Sequence, residues 1–307
     1  MGPGRFGSVL CAMATPFDEQ GRLDLDGAAT LARWLVDHGN DGLVVTGTTG
    51  ESPTLDDDEK LALWGTVRAA VDVPLIAGTS TADTAHSVRL TEAARHAGVD
   101  AILAVTPYYN RPSQAGIAAH MRAIATAAAD LPVILYDIPV RSGRKIAEST
   151  ILELAADGTV VGVKDATANP AATAVLIAAA PPGFEVYSGN DGDTLPLLAV
   201  GAVGVISVES HWAGNHLAEM IAAFFKGDVT TAREINARLV ESHRFQSSED
   251  APNPVPTKAI LAALGLPGGK CRLPMGPAPA GLVDAAREVL ARLEGQSLVS
   301  SGRSSRG

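Results

Sequence analysis

The chain has 307 residues, 46% of them hydrophobic, and a formal net charge of −10. That length suits one large domain with an appendage, or two domains, with ample material for a core. A pI of about 5.1 and the lack of any basic run argue against nucleic acid or an anionic membrane surface as partners. No run approaches the ~18 apolar residues of a transmembrane helix. Cys11 and Cys271 lie far apart and outside any CxxC spacing, so neither a disulfide framework nor a zinc site is expected. Residues 1–17 lack the long apolar stretch of a secretory signal, and the expected location is a reducing cytoplasm.

Eight short apolar runs follow in chain order: 8–14, 42–47, 74–78, 101–107, 132–139, 160–164, 184–189 and 204–209. Val, Ile and Leu dominate them with little alternation, as in parallel strands covered on both faces. Helical spacing lies between them, clearest at 26–38 (Leu31, Ala32, Leu35, Val36) and 58–71 (Leu61, Trp64, Val67, Val71). Eight strand–helix units over residues 1–225 have the rhythm of an α/β fold of the (β/α)8 TIM-barrel type. A doubly wound open sheet seldom needs eight regular units, and no GxGxxG follows the first run. Beyond it, 226–297 reads as a small C-terminal helical region, with helices at 228–243, 255–264 and 280–294 and a proline-rich connection at 247–256. Residues 298–307 are expected to be a disordered tail.

The active site of such a barrel lies at the C-terminal ends of its strands. There the sequence places TGTTGES (46–52), TPYYN (106–110), YDIPVRSG (136–143), VVGVKDAT (160–167) and YSGND (187–191). Taken alone, VVGVKDAT describes a strand that stops at Val163 and leaves Lys164 in solvent, because burying an ammonium is costly. Its company changes that reading. All four tyrosines, Arg141 and the Thr48–Thr49 pair fall at strand ends with it. A buried lysine has a lowered pKa and condenses with a ketone to a Schiff base that withdraws electrons. A tyrosine hydrogen-bonded to a threonine serves as proton shuttle. The amides and threonines of GTTGE suit the carboxylate of an α-keto acid, and Arg141 suits a second carboxylate. Metal chemistry finds little support: the seven histidines are scattered, and His211 and His216 read as surface or packing residues. The DDDE run (56–59) opens a helix, where acidic side chains favour the dipole.

CAMATPF (11–17), GTTGES (47–52), TPYYNRPSQ (106–114), YDIPVRSG, GVKDAT (162–167), YSGND, GVISV (204–208) and NPVPTKAIL (253–261) stand in one ordered set. The set resembles the dihydrodipicolinate synthase family, within the pyruvate-dependent class I aldolase and N-acetylneuraminate lyase superfamily, over nearly the whole chain. The resemblance implies that Lys164 forms the Schiff base with pyruvate, and that Tyr136 donates and accepts protons. Thr48 and Tyr109 would complete the relay, Tyr109 reaching the site of a neighbouring subunit in a tight dimer. Thr49 would hold the pyruvate carboxylate, the Ile206 backbone would touch pyruvate, and Gly189 would lie near the pocket. Arg141 would bind the carboxylate of L-aspartate 4-semialdehyde, a position at which the sialic-acid lyase branch has no arginine.

The implied reaction condenses pyruvate with that semialdehyde to 4-hydroxy-tetrahydrodipicolinate, the entry to diaminopimelate and lysine. It needs no cofactor and no metal, and the implied assembly is a dimer or a tetramer. The chain departs from the family at Asn190, where Asp is frequent, and in ESHWAGN (209–215). Lysine-inhibited members use Asn, Glu and His at a dimer-interface cleft where this chain has Ala82 and His86, with Asp57 and Lys60 before them, so weak or absent lysine feedback is expected. The competing readings are a related aldolase acting on a sugar acid or N-acetylneuraminate, and a non-catalytic keto-acid sensor. Arg141 speaks against the first, and the retention of Lys164 and Tyr136 against the second.

Overall fold

The structure, a computed structural model, describes residues 2–295; the tail expected at 298–307 lies outside them. Its strands are β1 (Val9–Ala12), β2 (Gly42–Val45), β3 (Leu75–Gly78), β4 (Ala101–Val105), β5 (Val133–Asp137), β6 (Gly162–Asp165), β7 (Glu185–Ser188) and β8 (Gly204–Ser207). They pair in parallel in sequence order, and β8 closes on β1. A helix follows each strand, as the sequence spacing predicts: the helix expected at 26–38 spans Leu25–Asp37, and that at 58–71 spans Asp57–Ala70. Side-chain caps fix several of the starts. Asp24 accepts from the Gly27 N–H, and Asp56 and Glu59 form a reciprocal capping box, the role expected of DDDE.

Alternation along the strands makes two apolar layers. Leu10, Val44, Ile76, Leu103, Ile134 and Ile206 fill the barrel interior, while Leu43, Leu75, Ile102, Leu135 and Val163 pack against the helices. The expected runs overshoot the C-terminal ends of β1, β2, β4, β5, β7 and β8, match that of β3 and stop one residue short of that of β6. At β2 the chain leaves the sheet because Thr46 takes a left-handed conformation, φ 58°, and the residues beyond it form the rim of the site. The C-terminal helices span Val229–Phe245, Val255–Ala263 and Leu282–Leu293. Their apolar faces join the helix Ser210–Phe225 and the outward residues Val9 and Val205 in one cluster.

The same alternation turns Tyr136 and Lys164 inward, in register on β5 and β6, and turns Asp137 and Asp165, also in register, toward the helices. Asp137 accepts from the Ile146 N–H at 3.2 Å, and Asp165 accepts from the Thr173 hydroxyl and the Thr167 N–H. Burial, reinforced by the charge of Asp165, pushes Asp137 up to about 7. Between its ordinary 3.8 and that value the folded chain binds more protons than the unfolded one, so stability falls as pH rises through the window. Asp137→Asn keeps the acceptor for Ile146 and removes the titration. Its thermal midpoint should match wild type near the acid end of the window and exceed it progressively toward the upper end. A gap that does not vary with pH would show that the carboxyl is already ionised throughout.

Candidate active site

A cavity of about 410 Å³ opens at the C-terminal ends of β2 to β5, walled by Thr48, Ser80, Tyr108, Tyr109, Tyr136 and Arg141 among others. Its floor depends on a close approach of β2 and β3. The Thr46 hydroxyl donates to the Gly78 carbonyl at 2.9 Å and accepts from the Trp64 indole N–H at 2.9 Å. A Cβ at position 78 would lie 2.5 Å from the Thr46 carbonyl oxygen, so only glycine fits. The GTTGES loop then folds on itself: the Glu51 N–H donates to the Thr48 carbonyl and the Ser52 N–H to the Gly47 carbonyl. Those two amides are therefore spent on the loop rather than offered to a ligand.

Lys164 is 5% exposed, and its Nζ lies 4.4 Å from the centroid of the Tyr136 ring. Burial pushes its pKa down from 10.5 to about 8, against the pull of the Asp191 carboxylate and with some help from the Arg141 charge. Tyr136 is pushed up to about 12 by burial, against Arg141 and a hydrogen bond with the Thr48 side chain. The pair is thus an amine that is readily neutral beside a phenol that keeps its proton. A phenol of this kind can hand a proton to a reacting oxygen and recover it.

The structure gathers most of the sequence-derived residues here. Thr48, Tyr109, Tyr136 and Arg141 line the cavity, and Lys164 meets it through the Tyr136 ring. Thr49, next to the cavity-lining Thr48, is buried behind the wall rather than part of it, its hydroxyl accepting from Asn253 at 3.0 Å. Gly189 follows β7 with its N–H on the Asp165 carbonyl at 2.7 Å, and Ile206 points into the barrel from β8; neither lines the cavity.

Tyr187 corrects the expectation that all four tyrosines share one face. It sits in register with Lys164, but its phenol runs the other way and accepts from the Phe6 N–H at 3.4 Å beside Gly4. There the N-terminal segment stoppers the opposite mouth of the barrel. His211 is a packing residue, as expected: fully buried, it accepts from the Ala14 N–H and donates to the Val208 carbonyl, and burial holds it neutral with a pKa of about 4.

Two contributors escaped the sequence reading. Asp191, the charge opposing the shift of Lys164, is held by the Ser207 hydroxyl and the Val208 and Glu209 N–H groups. Asn253 reaches the site from the C-terminal helical region. Both stand inside motifs already visible, YSGND and NPVPTK, but local spacing assigns them no partner.

A buried lysine against a tyrosine, at the C-terminal mouth of a (β/α)8 barrel, is the equipment of an enzyme that works through a Schiff base. The model of the Dihydrodipicolinate synthetase family matches residues 5–292, and the chain belongs to that family. It is 49% identical over 273 residues to a 4-hydroxy-tetrahydrodipicolinate synthase of Moorella thermoacetica, covering 88% of this chain and 92% of that protein. Among solved structures it is similar to a dihydrodipicolinate synthase of Bacillus anthracis, with 42% identity, a TM-score of 0.89 and coverage of 94% and 98% of the two chains. It is also similar to the lysine-bound enzyme of Cyanidioschyzon merolae, with 38% identity, a TM-score of 0.91 and coverage of 95% and 99%.

The lowered pKa of Lys164 gives a direct expectation. Only the neutral amine attacks a carbonyl, so the initial rate of imine formation with pyruvate, trapped by borohydride, should rise with pH and level off above about 8. A rate still climbing tenfold per pH unit above 9 would mean an ordinary, solvated lysine.

Proposed function

We propose that the protein condenses pyruvate with L-aspartate 4-semialdehyde to 4-hydroxy-tetrahydrodipicolinate, the activity for which its curated relatives are named. The observation that carries the reading is the placement of buried Lys164 against the Tyr136 ring, with Thr48 and Tyr136 on the wall of the same cavity. Neutral Lys164 attacks the keto carbon of pyruvate, and the carbinolamine loses water after Tyr136 protonates its oxygen. The iminium draws electrons from the methyl carbon, which gives up a proton to form the enamine. The enamine carbon then attacks the aldehyde, whose oxygen takes a proton. Finally the amino group of the semialdehyde adds to the imine carbon and displaces Lys164, closing the ring. The lysine is the electron sink, so the proposal includes no cofactor and no metal.

In this reading Thr49 and the Ile206 backbone hold pyruvate, Gly189 borders its place, and Arg141, at the cavity rim, takes the carboxylate of the semialdehyde. Tyr109 is 93% exposed in a left-handed conformation, φ 71°, and Val140, next in the chain to the cavity-lining Arg141, is 86% exposed. Exposed apolar side chains around a site favour burial against a second copy, which supports a dimer or tetramer in which Tyr109 serves the neighbouring site. Two free cysteines suit a reducing cytoplasm. Among the described residues no helix is long and apolar enough to cross a membrane.

The test pairs pyruvate with L-aspartate 4-semialdehyde and, separately, with N-acetylmannosamine. Turnover is expected with the semialdehyde alone and is abolished in Lys164→Ala. Arg141→Ala should raise KM for the semialdehyde by roughly tenfold to a hundredfold while leaving that for pyruvate close to wild type, as expected for losing one charged clamp. Turnover with the sugar instead would move the protein to the lyase branch. Weak lysine feedback belongs to the same proposal. His86 Nε2 is 2.9 Å from Asp57, and Lys60 lies 3.9 Å from the same carboxylate, so the acid there is already engaged by neighbouring basic groups. Half-inhibition at sub-millimolar lysine would refute this.

A further inference from the structure

The C-terminal helical region grips the GTTGES loop at two points. Asn253 Nδ2 donates to Thr49 Oγ1 at 3.0 Å, and the far end of the same amide, Oδ1, accepts from the Thr257 hydroxyl at 2.9 Å. All three residues are buried. The backbone carbonyl of Asn253 also accepts from Arg141 Nη2 at 3.4 Å. Next in the loop, Glu51 Oε1 lies 2.7 Å from Lys258 Nζ, and its Oε2 accepts from the Arg272 N–H at 2.8 Å. The loop therefore has little freedom to move away from Asn253.

A hydroxyl offers one hydrogen and two lone pairs. Because Asn253 donates into Thr49, the Thr49 hydrogen has to point elsewhere, and no acceptor for it is found among the described residues. A donor fixed in advance and left unspent is what an anionic substrate group needs, since no reorganisation is required when it binds. We infer that Asn253 is a positioning residue which, held by Thr257, sets the Thr49 hydroxyl as a donor toward the substrate carboxylate. The inference rests on the role proposed above for Thr49. It makes the C-terminal region part of pyruvate recognition although it contributes nothing to the lysine chemistry.

Asn253→Asp tests it with almost no change of shape. The carboxylate still accepts from Thr257 but now presents an acceptor to Thr49, which takes up the hydrogen meant for the substrate. Pyruvate KM, and the pyruvate concentration that half-saturates borohydride trapping on Lys164, should both rise about tenfold, the loss expected for one hydrogen bond to a charged group. Turnover number should change far less. KM for the semialdehyde should hardly move, because Asn253 meets Arg141 through its backbone. Thr257→Val, which frees the far end of the amide, should shift pyruvate binding in the same direction by a smaller factor and serves if the aspartate variant does not fold. In a Thr49→Val background Asn253→Asp should add nothing.

An unchanged pyruvate dependence in Asn253→Asp, a loss confined to turnover and thermal midpoint, or effects that add in the double variant would each overturn the inference. So would a Thr49→Val variant that binds pyruvate normally. That last result would leave the synthase reading intact as long as wild type still turns over the semialdehyde and Lys164→Ala does not.

Discussion

The site depends on a lysine buried without a carboxylate at ion-pairing distance. Three lysines are buried: Lys60, Lys164 and Lys258. Lys258 sits 2.7 Å from Glu51, and Lys60 lies 3.9 Å from Asp57. Lys164 has no acidic oxygen within 4 Å among the described residues; its close neighbour is the face of Tyr136 at 4.4 Å. An aromatic face stabilises an ammonium only modestly compared with a carboxylate, so desolvation prevails and the pKa falls to about 8. Burial pushes Lys60 and Lys258 down as well, but there a carboxylate at ion-pairing distance, Asp57 or Glu51, opposes it directly. The barrel supplies this environment because β6 places Lys164 among inward-facing residues while the adjacent acids, Asp137 and Asp165, occupy the outward positions. Shifting β6 by one residue would exchange lysine for acid.

Around that centre a set of buried polar links ties together the segments behind the proposed carboxylate site. Glu51 gathers Lys258 and Arg272, and both cations also face the Phe17 ring at 4.1 and 4.2 Å. Arg272 continues to Glu59, which caps the helix Asp57–Ala70. Strand β1's outgoing loop, the GTTGES loop, the following helix and the C-terminal segment are thereby joined through a few charge-assisted contacts of low exposure. Removing one member of such a set leaves the others buried without compensation. The chain thus places its strongest polar links behind the residues assigned to the keto-acid carboxylate, while the rim that carries Tyr109 and Arg141 stays open.

Much of this was legible in the sequence, for reasons that differ by element. Parallel strands covered on both faces announce themselves as unbroken Val, Ile and Leu runs, so all eight appeared in order. Most of their C-terminal limits did not, because residues such as Thr46 leave the sheet through backbone conformations that hydrophobicity does not encode. Lys164 is readable only through its company at the other strand ends, and Tyr187 does not belong to that company: it occupies the expected strand but leans toward the opposite mouth. Asn253 was illegible because its partner Thr49 is 204 residues away, and a polar residue in a proline-rich connection looks like ordinary loop. Asp191 was similarly hidden, since its importance lies in the charge it presents to Lys164 across the β6–β7 pair, which local spacing does not assign.

The most direct test of the account is to incubate the protein with pyruvate, reduce with borohydride and map the modified lysine by peptide mass spectrometry. The account predicts a single reduced pyruvate adduct on Lys164, formed at neutral pH, with Lys60 and Lys258 unmodified. An adduct on either of those two lysines, or none at all in folded protein, would contradict it.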